Sequence, residues 1–103
     1  MNNTDPTARF TRVINVLGAI EILTQPNLHG VANATNIPPR TINDILARVK
    51  KIYGVQITRT IVNEGVRTTY YSIHDWGYFD KERIKQYYLD TISTTEFTKI
   101  ARS

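Results

Sequence analysis

The feature that most constrains this chain is Asn36-Ile37-Pro38-Pro39, set between two stretches whose apolar residues recur at helical spacing. Each proline lacks an amide hydrogen, and Pro39 disfavours the helical conformation at Pro38, so no helix can run through the pair. A new helix can still begin at Pro39, because the first helical position has no amide bond to lose. On the upstream side Asn36 tolerates the left-handed conformation that a tight turn needs, and Ile37 plugs the turn with an apolar group. Two helices therefore end and begin within four residues and meet at a fixed corner.

Upstream of the corner, Asn27 is placed to cap a short helix from Leu28 to Thr35, with Val31 and Ala32 facing inward and Gly30 weakening its first turn. Downstream, a helix from Pro39 to about Tyr53 carries Ile42, Ile45, Leu46, Val49, Ile52 and Tyr53 as one apolar stripe and stops at Gly54. That stripe is assigned to the core. At 100° per residue the opposite direction holds Arg40, Asp44, Ala47 and Lys51, flanked by Thr41, Asn43, Arg48 and Lys50.

The flanking segments complete the order. Asp5 before Pro6 signals a helix start, and Phe10, Val13, Ile14, Leu17, Ile20 and Leu23 form a core face to about Gln25, where Pro26 interrupts. After Gly54 the period changes to two, and Asn63-Glu64-Gly65 separates two strand-like runs. A three-residue loop ending in glycine suits a type I turn closed by a bulge, which would pair Val62 with Val66, Ile57 with Tyr71 and Val55 with Ile73. Val55, Ile57, Tyr71 and Ile73 then face the core, while Arg59, Thr69 and Arg67 continue the same face outward. A fourth helix is expected over 76–92, anchored at its start by Trp76, Tyr78 and Phe79 and turning Ile84, Tyr87, Tyr88 and Ile92 to one side. Ser93-Thr94-Thr95-Glu96 has capping-box spacing before Phe97 and Ile100, so the end of the chain, 93–103, is expected either to add a turn or two or to fray as a flexible end, like 1–5, of a single domain spanning 1–103.

Composition narrows the chemistry. The 103 residues include no cysteine, which removes disulfides and thiol chemistry, and two histidines, His29 and His74, make a poor metal-ligand set without it. Neither histidine has a Ser, Asp or Glu partner by spacing, so no catalysis, cofactor or metal is expected. Val13 to Leu23, the first apolar stretch, contains Asn15 and Glu21 and is too short for a bilayer, which gives an expectation of a cytoplasmic chain without a membrane segment. The net charge of +4 lies wholly in residues 39–72, where six cations face two carboxylates. A centre so charged either solvates or binds an anion.

Three helices followed by a hairpin, with a tight turn between the second and third, is the order of an α+β winged helix-turn-helix with a C-terminal helix added. Val31, Ala32, Ile37, Ile42 and Ile45 fall where such a motif needs an inward apolar group, a small contact residue, a turn plug and two core positions. The run Ala32-Asn33-Ala34-Thr35-Asn36-Ile37-Pro38-Pro39-Arg40-Thr41-Ile42 resembles the DNA-binding heads of IclR-type repressors, a likeness that extends over 9–73. Those proteins carry an effector domain after the wing, whereas about thirty residues follow here, so the expectation is a compact phage- or plasmid-type regulator or repressor rather than a metabolite sensor.

The resemblance implies a partner, double-stranded DNA, and assigns roles. Pro39, Arg40, Thr41, Asn43 and Asp44 stand at the N-terminal end of the recognition helix, from which side chains reach base edges. Arg40 matches guanine, Asn43 adenine and Asp44 cytosine, and Ala47 lets the backbone approach a thymine methyl. Asp44 has a second reading as an i to i+4 partner of Arg40 or Arg48. Arg48, Lys50 and Lys51 suit phosphates or solvent, as do Arg59, Asn63 and Arg67 on the hairpin, which could also reach a minor groove. Arg9 and Arg12 are further phosphate candidates. The tyrosines read as core or interface, and the fourth helix is expected to pack on the first and to offer a homodimer surface. The rival reading is a protein-binding adaptor using the same helix and hairpin, with RNA binding a third. No small-molecule ligand is implied.

Overall fold

Local chemistry sets the helix boundaries around the corner. The Asn27 side chain accepts the Gly30 amide at 2.7 Å and starts α2 (Leu28–Thr35), and Asn36 ends it in the left-handed conformation, φ 59°. Pro38 holds an extended φ and ψ, Pro39 opens α3 (Pro39–Tyr53), and Gly54 ends that helix at φ 72° with its amide on the Val49 carbonyl. These are the boundaries the sequence predicts.

The computed structural model describes residues 6–102, with α1 (Pro6–Ile22) before these helices, a hairpin of β1 (Gln56–Glu64) and β2 (Val66–Asp75), and α4 (Lys81–Arg102) after them. The core lies where α1, α2 and α3 meet the base of the hairpin and α4: Val16, Leu17, Val31, Ile42, Val49 and Val55 are fully buried, and Tyr71, Ile73, Ile84 and Tyr88 close around them. α4 runs antiparallel to α1, with Ile84 and Tyr88 against Gly18 and Lys81 paired with Glu21 at 3.4 Å.

Several expectations are corrected. α1 ends at Ile22 rather than near Gln25, and its expected Asp5 cap lies outside the described residues, as do 1–5. Phe10 and Ile52, placed in the core by periodicity, keep 43% and 55% of their surface, because they line an open groove rather than the packed interior. α4 does not span 76–92: it starts after Asp80, whose carboxylate accepts the Arg83 amide at 3.2 Å, and it continues through Ser93-Thr94-Thr95-Glu96 to Arg102. A capping box specifies a helix start only where the preceding backbone has left the helix, and here it has not.

The hairpin register also differs. Ile57 pairs with Ile73, Arg59 with Tyr71, Val62 with Thr68 and Asn63 with Arg67, so the turn centres on Gly65 and Val62 does not oppose Val66. The slip is two residues, which leaves every side chain on its expected face. An irregularity between Gln56 and Ile57 leaves His74 as the extra residue of β2, its Nδ1 at 2.8 Å from the Thr58 hydroxyl oxygen. The α1–α2 loop adds a short third edge: Asn27 bridges Tyr70, and the Tyr71 amide donates to the Pro26 carbonyl at 2.9 Å. That bond ties the base of the hairpin to the start of α2.

Candidate nucleic-acid interface

Because Ile42, Ile45, Leu46 and Val49 commit one side of α3 to the core, the rest of its circumference is left to solvent. Pro39, Arg40, Asn43, Asp44, Ala47, Arg48, Lys50 and Lys51 are all exposed, while Thr41 is half-buried on the flank that turns toward α1. The polar face thus runs unobstructed along three turns, with short side chains and Arg40 at its N-terminal end and Lys50 and Lys51 in its last turn.

The electrostatics of that face are simple. Among the described residues, ion pairs join Lys81 to Glu21 and Lys85 to Glu82, both involving α4. Asp44 forms no ion pair with Arg40 or Arg48, which corrects the intrahelical pairing considered from the sequence: each side chain extends into water, where such a pair gains only a few tenths of a kcal/mol. No carboxylate is paired with the cations of α3 among the described residues.

On the hairpin, Arg59, Asn63 and Arg67 are exposed on the face that becomes core at the hairpin base. Arg59 lies over the ring of Tyr71, its cross-strand partner, with Cζ 5.6 Å from the centroid. Cation–π contact and pairing hold this guanidinium at mid-hairpin, whereas Arg67 stands opposite Asn63 beside the turn. The tip also exposes Val66 and Ile61, at 75% and 48%.

Two features of this region lay beyond the sequence reading. Phe10 of α1, Tyr53 of α3 and Phe79 before α4 form an aromatic cluster with ring centroids 4.8 to 6.4 Å apart. Beside it α1 and α3 separate into an open groove of about 740 Å³ that brings Arg9 and Arg12 to the same cleft as Thr41, Asp44 and Arg48. Periodicity tells which way a side chain points; it does not tell whether the opposite helix reaches it. Among the described residues no group of three or more His, Asp or Glu could hold a metal ion, and no helix is long and apolar enough to cross a membrane.

Compared with known families, the chain matches the model of one described as winged helix-turn helix, over residues 5–95. Neither a curated protein nor a solved structure matches it.

Proposed function

The chain belongs to the winged helix-turn helix family, and from that premise we propose that it is a transcription regulator that binds double-stranded DNA, with α3 in the major groove and the β1–β2 hairpin on the flanking groove or phosphates. The observation that carries the reading is the two-sided character of α3: a buried aliphatic stripe behind, and in front an exposed row from Arg40 to Lys51 without an ion pair among the described residues. An α-helix fits the major groove, and residues at its N-terminal end meet base edges first.

Roles follow from position. Arg40 donates two hydrogen bonds to guanine, Asn43 pairs with adenine and Asp44 accepts from cytosine, with Thr41 beside them and Ala47 against a thymine methyl. Arg48 and Lys51 neutralise phosphates farther along α3, and Arg59, Asn63 and Arg67 do so from the hairpin. The regulator acts in the cytoplasm as a compact repressor or a phage or plasmid control protein, and two copies occupy two half-sites. Ile84 and Tyr88 are buried against α1, so pairing through α4 uses other faces, where Tyr87 and Leu89 keep 43% and 40% of their surface.

The test is a gel shift against random-sequence duplex over a salt series. This reading expects binding at low salt that weakens as salt rises, whereas an adaptor that recognises an acidic protein gives no shift even at the lowest salt. Single-stranded competitor that displaces the duplex would point to RNA or single strands instead.

A further inference from the structure

We propose that the groove between α1 and α3 is a docking site for an acidic, amphipathic helix of a partner protein. The groove measures about 740 Å³, and its α3 wall extends from Thr41 to Tyr53. Twelve residue steps at 1.5 Å make that wall about 18 Å long, while the α1 bank, from Arg9 to Val13, covers about one turn, so a guest helix lies along α3 and meets α1 at one end.

The lining states what the guest must offer. Phe10 and Ile52 leave roughly half their surface in water above Val13 and Ile45, so the floor calls for apolar side chains at helical spacing. Arg12 on the α1 bank and Arg48 on the α3 bank form no ion pair with a carboxylate among the described residues, although Asp44 shares their cleft. The rim is cationic, so the guest carries carboxylates beside its apolar stripe. Duplex phosphates satisfy the arginines but leave Phe10 and Ile52 wet. A second copy of this chain brings a net charge of +4 to a basic rim. An acidic amphipathic helix satisfies floor and rim together.

Docking has a consequence that rests on the DNA-binding reading. Asp44 and Arg48 line the groove and are also exposed on the outward face of α3, so a docked helix and a duplex exclude one another. The partner then acts as an antagonist of DNA binding.

The test uses fluorescence anisotropy on the full chain with a labelled fourteen-residue peptide bearing leucines on one helical face and glutamates on the other, and a control peptide of the same composition in scrambled order. The patterned peptide is expected to bind about tenfold more tightly than the scrambled one, and Arg12→Glu and Ile52→Asp each to weaken it about tenfold, while Arg83→Glu on α4 has no effect. Circular dichroism verifies folding; should Ile52→Asp fail to fold, the exposed Arg12→Glu still decides. Equal binding of the two peptides, indifference to both groove variants, or self-association of the chain that Ile52→Asp abolishes would each overturn the proposal. Added duplex should displace the patterned peptide. A chain that binds the peptide but no duplex leaves the docking site standing and removes only the antagonism.

Discussion

Gly18 of α1 and Tyr88 of α4 meet where no further side chain fits: a Cβ on Gly18 would overlap the Tyr88 Cβ, stand 2.8 Å from its Cγ and lie 3.4 Å from the Ile84 carbonyl oxygen. This close approach lets Ile84 and Tyr88 seal α1 and fixes the three-helix body from which α3 projects.

Gly18→Ala sets two effects against each other. Alanine favours the helix by about 1 kcal/mol, but overpacking a filled contact costs about 1–3 kcal/mol, and here the obstacle is the base of a buried side chain. With that cost taken in the upper part of its range, about 2–3 kcal/mol, the expected result is net destabilisation of about 1–2 kcal/mol, read as a melting temperature lowered by several degrees. An unchanged or raised melting temperature would contradict the packing described.

Asn27 is the side-chain N-cap of α2, through its bond to the Gly30 amide. Asn27→Ala should cost about 1 kcal/mol in denaturant unfolding, and Asn27→Asp should restore most of it. Because the Tyr71 amide is held by the adjacent Pro26 carbonyl, the alanine variant should also speed amide exchange at Tyr71.

Burial pushes the Tyr88 hydroxyl above the ordinary tyrosine range. The unfolded chain releases this proton near pH 10 and the folded chain releases it later, so the unfolded state binds fewer protons and stability falls as pH rises through that window. Below it, Tyr88 is neutral in both states and contributes no slope. Tyr88→Phe keeps the buried ring and should flatten the alkaline decline; an identical decline in the variant would place its origin elsewhere.

Base-reading and phosphate-binding positions should separate on substitution. Arg40→Ala is expected to cost about 1–3 kcal/mol on the preferred site and to relax specificity, whereas Lys51→Ala should weaken all duplexes alike and reduce the salt slope by about one. With roughly four to six cations on phosphates, log K per subunit should fall against log salt at about −4 to −5. Competition binding across a panel of single-base variants measures both effects.

What the sequence made legible is what short-range chemistry decides. Asn27, Asn36, Pro38-Pro39 and Gly54 each act within a few residues, and α2 and α3 begin and end where those residues put them. The hairpin register was not legible, because a two-residue slip preserves the alternation that buries Tyr71 and Ile73, and only the turn at Gly65 distinguishes the alternatives. Nor was the third edge, since a single bridge between Asn27 and Tyr70 has no periodicity to read. Phe10 and Ile52 obey the helical period and still face an open groove, because the separation of α1 from α3 is set by the whole core. The outward row of α3 was readable as the complement of its apolar stripe, and the IclR-type likeness remains a likeness of the run around the corner.

The most direct test of the account follows the backbone amides of the ¹⁵N-labelled chain by NMR as a duplex carrying its selected site is added. Shifts concentrated at residues 40–51 of α3 and 59–67 of the hairpin, with α4 unmoved, are the predicted result. Shifts confined to α4, or none at low salt, would contradict the claim that the exposed face of α3 is the surface that meets DNA.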